Sequence, residues 1–263
     1  MARRAQVIGV SSARPDGATS VAVALSAQFC AQARTLVVDL NPVQPELGAL
    51  LDLDGPLNLH HVAHAFQLGC VRSSDLERSL SWRDGVACVA GVAHPDQGAE
   101  ITTPFVSALL ATASEMFEVI VLDLGRLRAN LVGADAVDQL IWVVQPSPLG
   151  LAAFDRTWRV LDADAVPWMD KLAPVLNRVD EVTMSDTASY LKVQTGLAPI
   201  GTLPECRDLW RRIEYTHSLD GLLAPLEDGR RYVQTHGAGA LAYRQELARL
   251  TANLPAQLEA RSA

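Results

Sequence analysis

The sequence lacks several features that would fix its class at once. No apolar run reaches the roughly 18 residues that a bilayer-spanning helix needs. The N-terminus, Met-Ala-Arg-Arg-Ala-Gln, is basic, but the apolar stretch after it is only about six residues long and runs into a polar loop. It reads as a strand and not as a secretory leader. A cytoplasmic protein is the expectation. Positive charge is in deficit: 22 Lys and Arg face 30 Asp and Glu, a net charge of -8. That excludes a general charge-driven grip on nucleic acid and leaves only a local basic patch. Cysteine is sparse and scattered. Cys30, Cys70, Cys88 and Cys206 show no C-x-x-C spacing, so neither a zinc site nor a disulfide framework is expected, only buried thiols in a reducing compartment. Internal repeats, low-complexity tracts and long linkers are also missing.

What is present is enough for a packed domain. Of 263 residues, 49% are apolar and 20% charged, which is not the balance of a disordered tail. Short apolar runs alternate with longer helical patterns. The runs at 6–10, 35–40, 86–90, 119–124, 139–144, 172–177 and 198–202 read as strands. Several are apolar on both faces, as in Val119-Ile120-Val121-Leu122, which fits a parallel sheet covered by helices on both sides. Helices are expected over 19–33, 104–115, 149–162, 184–195, 207–217 and 237–253, the last closing before Pro255. The rhythm predicts an α/β fold, a doubly wound and mostly parallel sheet. It forms a single domain over residues 1–255, followed by a flexible tail over 256–263.

The first strand runs into Ser11-Ser12-Ala13-Arg14-Pro15-Asp16-Gly17-Ala18-Thr19-Ser20 and then into an apolar helix. Strand, polar loop and helix N-terminus form a layout that holds phosphate, because backbone N–H groups and the helix dipole face the anion. The P-loop pattern G-x-x-x-x-G-K-[ST] survives as Ser12-x-x-x-x-Gly17-Ala18-Thr19, with alanine in place of the lysine. Further on, Val37-Val38-Asp39-Leu40-Asn41-Pro42 and Val119-Ile120-Val121-Leu122-Asp123-Leu124-Gly125 each end an apolar strand in Asp. A carboxylate at such a strand end is where P-loop proteins keep the residue of their Mg shell. Val175-Leu176-Asn177-Arg178 and Gly201-Thr202-Leu203-Pro204-Glu205 follow.

These segments, in this order, resemble the MinD/ParA family of P-loop ATPases over roughly residues 5 to 215. Within it they look most like the CpaE/TadZ branch of pilus-assembly and polar-localisation proteins. Gly85-Val86-Ala87-Cys88-Val89-Ala90-Gly91 and Glu100-Ile101-Thr102 support that branch. The resemblance implies a nucleotide set of Ser12, Ala13, Arg14, Gly17, Ala18, Thr19, Ser20, Asn177 and Pro204, and a Mg set of Thr19, Asp39 and Asp123. The family's signature lysine falls on Ala13, with Arg14 beside it as a possible substitute. The main phosphate lysine falls on Ala18. The acidic residue that orients the attacking water falls on Asn41, and the adenine-contacting Asn is kept as Asn177, with Leu203-Pro204-Glu205 walling the base.

Phosphoryl transfer depends on positioning and on positive charge near the γ-phosphate. Removing one such contact typically costs about 3–4 kcal/mol of transition-state stabilisation. Asn41 can hold a water but cannot accept its proton. Pro15 deletes a loop N–H, and Asp16 is expected to put negative charge beside the phosphate. The expectation is a pseudo-ATPase with no intact catalytic residue. It binds ATP or ADP with Mg, or else keeps an empty relic of that site. The resemblance further implies a homodimer that positions or scaffolds a surface machine such as a Tad-type pilus, recruited to the cell pole or the inner membrane face. DNA is not an expected partner, and membrane contact is expected to be indirect or weak. The rival readings are a slow ATP-dependent switch using Arg14, and a cell-division or DNA-partition regulator.

Three other features carry a bland reading beside a functional one. His60, His61 and His64 share a helix, but no third ligand is evident for a metal, and a solvated or partner-facing helix is expected. Trp210, Arg211, Arg212 and Tyr215 form an aromatic-basic cluster, expected to be a helix packed by its Trp with solvated arginines. Leu241, Leu247, Leu250 and Leu254 mark a helix docked on the body of the fold; it lacks the Lys-rich, bulky apolar composition of a membrane anchor.

Overall fold

The computed structural model describes residues 4–53, 57–69, 72–180, 186–226 and 229–262, with side chains up to residue 254. Eight strands run β1 (Gln6–Ser12), β2 (Thr35–Asp39), β3 (Ser81–Arg83), β4 (Val86–Val89), β5 (Val119–Arg126), β6 (Gln139–Val144), β7 (Leu172–Val179) and β8 (Gly201–Pro204). The helices are α1 (Ala18–Cys30), α2 (Leu47–Leu51), α3 (Leu59–Gln67), α4 (Ser73–Arg78), α5 (Thr103–Ala113) and α6 (Pro148–Ala163), then α7 (Thr187–Thr195), α8 (Arg207–Thr216), α9 (Asp220–Leu223), α10 (Gly229–His236) and α11 (Ala238–Ser262). The sheet order is β3-β4-β2-β5-β1-β6-β7-β8. Every neighbouring pair is parallel except β3 with β4. The doubly wound, mostly parallel sheet is therefore as expected.

The strands that read as apolar on both faces feed two cores. Ile120, Leu122 and Leu124 of β5 face one core with Leu140 and Trp142 of β6 and with Phe105 and Leu109 of α5. Val119 and Val121, one residue out of phase, face the other core with Ile141, Val143 and the apolar residues of α1. Period-two alternation between two buried faces is what a covered parallel sheet requires. α1 lies on the second face, with Val21 to Ala27 all buried. α11 lies there too, and its Leu247, Leu250 and Leu254 are buried. The docked reading of that helix holds, and no helix of the described residues is long and apolar enough to cross a membrane.

The differences from the sequence reading have physical causes. β3 was not expected: three residues with an exposed Trp82 give no alternation to read. It caps the sheet edge as an antiparallel strand. β1, β5 and β7 run two residues further than the apolar runs predict, through Ser12, Arg126 and Val179, because ladder hydrogen bonds continue past the last apolar side chain. α11 does not close before Pro255 but continues to Ser262. It does so although a proline within a helix removes one helical hydrogen bond. Residues 184–185 of the expected 184–195 helix, and Cys70, lie outside the described residues.

The chain adds β2, β4 and β5 on one side of β1 and then β6, β7 and β8 on the other. The direction of growth reverses at β5 and β1. A crevice at the carboxyl ends of the strands flanking such a reversal is where open α/β sheets bind ligands.

Candidate functional site

The loop from Ser12 to Gly17 leaves β1 at that reversal and enters α1. Gly17 precedes the helix with φ +93°, a left-handed conformation that favours glycine. A Cβ there would lie 2.7 Å from Asn177 Nδ2, so the carboxamide packs directly on the glycine. Asn177 Nδ2 donates to the Asp16 carbonyl (2.8 Å), tying the loop to β7. The separation in sequence is 161 residues. Helices α3, α5 and α6 have side-chain caps from Asn58, Thr102 and Ser147. α1 has none, and its first turn opens into a cavity of about 750 Å³ lined by Gly17, Ala18, Thr19 and Ser20. Uncapped helix N–H groups facing a cavity suit an anion.

The acidic residues converge as the sequence predicts. Asp39 and Asp123 are directly opposite one another in the β2–β5 ladder, and both are fully buried. Thr19 Oγ1 donates to Asp123 Oδ2 at 2.6 Å, and the Gly125 N–H donates to Asp123 Oδ1 at 3.1 Å. Asp39 accepts from the N–H groups of Asn41 (3.0 Å) and Leu47 (3.1 Å). Burial first, and the neighbouring Asp123 charge second, push the Asp39 carboxyl well above its ordinary range. Burial also raises Asp123, against the lowering effect of its bond from Thr19. Two adjoining buried carboxylates beside a hydroxyl have the hard oxygen chemistry of a Mg²⁺ site. The Thr19 hydrogen is directed at Asp123, so the lone pairs of its oxygen remain for a cation.

The loop departs from expectation at Asp16. Its carboxylate does not line the cavity but is buried, 1% exposed. There it pairs with Arg14 Nε at 3.4 Å and is stabilised by a hydrogen bond from the Gln145 backbone. Burial still pushes its carboxyl up to about 6. The same pair engages Arg14 through Nε, and Arg14 lines the cavity. The Ser12 hydroxyl and the Asp16 N–H both donate to the Arg14 carbonyl (2.6 Å each), folding the loop back on itself. Ala13 is half-buried against the core. Asn41 also turns inward on its own segment. Its Oδ1 accepts from Val43 and Gln44 N–H (3.2 Å each) and its Nδ2 donates to the Gln44 carbonyl (2.6 Å), an Asx-type turn.

A second cavity of about 190 Å³ adjoins the first and shares Ser20, Arg178 and Glu214 with it. Asn177, Pro204 and Glu205 line it together with Trp210. Leu203 does not wall it; it is fully buried in the core, because strand alternation turns it away from Pro204. Trp210 meets Tyr243 edge-on at 5.8 Å, and Arg211 and Arg212 are exposed, so that helix is packed as expected. His60 pairs with Glu100 at 2.8 Å, a contact the sequence did not suggest. Among the described residues, no cluster of three or more His, Cys, Asp or Glu could hold a metal through those side chains alone.

Sequence reasoning also missed Arg126, Arg128 and Arg178, all of which line the larger cavity. Their signal was present: two arginines spaced by one residue follow the Asp123 strand, and one follows Asn177.

No family model matches the chain, and no curated protein sequence does. Solved structures do match. A ParA family ATPase of Chlorobium tepidum TLS aligns with a TM-score of 0.75 at 18% identity, over 96% of this chain and 100% of that one. The septum site-determining protein MinD of Pyrococcus horikoshii OT3, complexed with Mg-ADP, aligns with a TM-score of 0.68 at 16% identity, over 98% of both chains. The MinC:MinD cell division complex of Aquifex aeolicus contains a chain aligning at 0.68 and 15% identity, over 96% of both. On this likeness and the sheet order, the chain has the fold of the MinD/ParA P-loop ATPases.

Proposed function

We propose that this protein binds Mg-ATP or Mg-ADP at the α1 N-terminus and works as a dimeric partner-binding factor and not by turnover. The observation that carries the reading is the pairing of an intact cradle with missing lysines. Gly17, Asn177, Thr19, Asp39 and Asp123 are assembled, while Ala13 and Ala18 stand where the resemblance implies lysines. The MinD likeness, seen in a complex with Mg-ADP, supports the choice of ligand. Thr19 and Asp123, with Asp39 behind them, would hold the ion, whose charge would offset that of the phosphates. Gly17 and the first turn of α1 present their N–H groups to the phosphates, and Asn177 and Pro204 border the base. Asn41, bonded within its own turn, is an amide and takes no proton from a water. Slow or absent hydrolysis follows.

The role is positioning or scaffolding a surface machine of the Tad-pilus kind, at the cell pole or inner membrane face. The CpaE/TadZ-like segments support it, and the MinC:MinD likeness supports working through a protein partner. The rival reading, a slow ATP-dependent switch using Arg14, predicts measurable turnover, and the Arg14–Asp16 pair shares that side chain with the loop. A DNA-partition role is opposed by the net charge of -8.

The test is a calorimetric titration with Mg-ATP, with the mass in solution read before and after. Binding with dimerisation and little phosphate release is expected. No binding and an unchanged mass at millimolar nucleotide would overturn the nucleotide reading and leave a scaffold alone.

A further inference from the structure

The cavity at α1 has no lysine, yet it is not short of positive charge. The whole chain has two lysines, Lys171 and Lys192, and neither lines the cavity. Four arginines do, against the carboxylates of Glu46 and Glu214. Arg14 is engaged by Asp16. The other three come from strand ends.

Arg126 is the cross-strand neighbour of Ser12, the first residue of the loop. Two hydrogen bonds fix its segment to β1: Ser11 Oγ donates to the Gly125 carbonyl (2.8 Å) and the Leu127 N–H donates to the Ser12 carbonyl (2.9 Å). Gly125 has φ +66°, and a Cβ there would lie 2.5 Å from Asn41 Cγ, so this turn needs glycine. Beyond it Arg126 and Arg128 are exposed while Leu127 between them is buried. Both arginines therefore stand on the cavity side, and neither makes an ion pair among the described residues. Arg178 is itself left-handed, φ +60°, which brings its guanidinium to 3.7 Å from the point where a Gly17 Cβ would lie.

We infer that Arg126, Arg128 and Arg178 grip the polyphosphate of a nucleoside di- or triphosphate, supplying from the β5 and β7 ends the charge that the loop does not carry. The inference rests on the nucleotide reading above and names the residues that replace its lysines. A guanidinium offers a planar fork of donors that matches phosphate oxygens, where a lysine offers a mobile point charge. Cations lining a cleft also concentrate anions in it before contact. Because the grip is divided among three side chains, affinity should rise steeply with the number of phosphates and fall with salt.

The experiment titrates wild type, R126Q/R128Q, R178Q and R126K/R128K with ATP, ADP and AMP by calorimetry, with and without Mg²⁺. Melting curves of the free proteins check the fold. R126Q/R128Q changes two exposed side chains and should melt like wild type. ATP binding should weaken by roughly ten- to a hundredfold in R126Q/R128Q, the worth of one or two charge-assisted hydrogen bonds. AMP binding should change little, and R126K/R128K should lie between. Wild type that binds ATP, with R126Q/R128Q and R178Q binding it equally well, overturns the arginine grip and leaves the nucleotide reading standing. Wild type that binds no ATP overturns both.

Discussion

Thr19 and Asp123 are 104 residues apart in sequence and joined by a buried 2.6 Å hydrogen bond behind the Thr19 wall of the cavity. The bond ties the first turn of α1 to the end of β5 and leaves the Asp123 carboxylate one other donor among the described residues, the Gly125 N–H. Thr19→Ala should therefore destabilise the free protein by about 1–3 kcal/mol, the cost of an under-satisfied buried acceptor. It should also abolish the Mg²⁺ dependence of nucleotide binding. Thr19→Ser should keep both. Thermal melts and titrations with and without Mg²⁺ check this, and an alanine variant with unaltered Mg²⁺ dependence would remove Thr19 from the ion site.

Gly17 is a second point of leverage. An alanine there meets Asn177 Nδ2 at 2.7 Å and has to adopt φ +93°, a conformation that costs a non-glycine residue about 1–2 kcal/mol. Gly17→Ala should displace the Asn177 carboxamide and weaken ATP binding more than it lowers the melting temperature. Asn177→Ala, which removes the displaced group, should lose affinity without the backbone strain. Equal affinity in all three proteins would take the loop out of the binding site.

Ala18 lines the cavity, at the position where the resemblance implies a phosphate-binding lysine. Ala18→Lys should tighten Mg-ATP binding by about tenfold or more, the scale of one added charge-assisted contact. Turnover should stay slow, because Asn41 remains bonded within its turn. Phosphate release is measured beside binding; rapid hydrolysis in this single variant would show that the lysine alone had been limiting.

Asp16 sets a pH dependence. Burial pushes its carboxyl up to about 6, against the lowering effects of Arg14, the Gln145 backbone and Arg178. The unfolded chain releases this proton near the ordinary value of 3.8. Between about pH 4 and pH 6 the folded protein holds more of it, so this group's contribution to stability falls as pH rises. Above about 6 the cost of the buried charge is fully present. Asp16→Asn carries no such cost at any pH. The melting temperature of D16N minus that of wild type should thus be larger near about pH 7.5 than near about pH 4.5. Equal differences at both pH values would count against the burial of the charged carboxylate.

Much of this was legible because the sheet's centre is written in unbroken apolar runs. β5 and β6 announce themselves by residues such as Val121 and Ile141, and Asp39 and Asp123 mark where those runs end. Parallel pairing then forces the two carboxylates together near the first loop. α2, α4, α9 and α10 escaped notice because four to eight residues are too few to display a helical period. The inward turn of Asp16 was illegible for another reason: the backbone that receives it belongs to Gln145, far away in the chain. Nothing in the sequence places Arg126 at the site, because only the sheet order brings Ser12 beside it.

The uncapped α1 has one more consequence. Its anchorage comes from Val21, Val23 and Leu25, sunk in the core, and from the Thr19–Asp123 bond at its first turn. The loop ahead of it is closed by the Arg14–Asp16 pair and tied to β7 by Asn177. Architecture and ligand chemistry thus fall to different residues at this corner of the molecule: Gly17 and Asp16 hold the shape of the loop, while Ala18 at the cavity wall can exchange one chemistry for another with the scaffold beneath it unchanged.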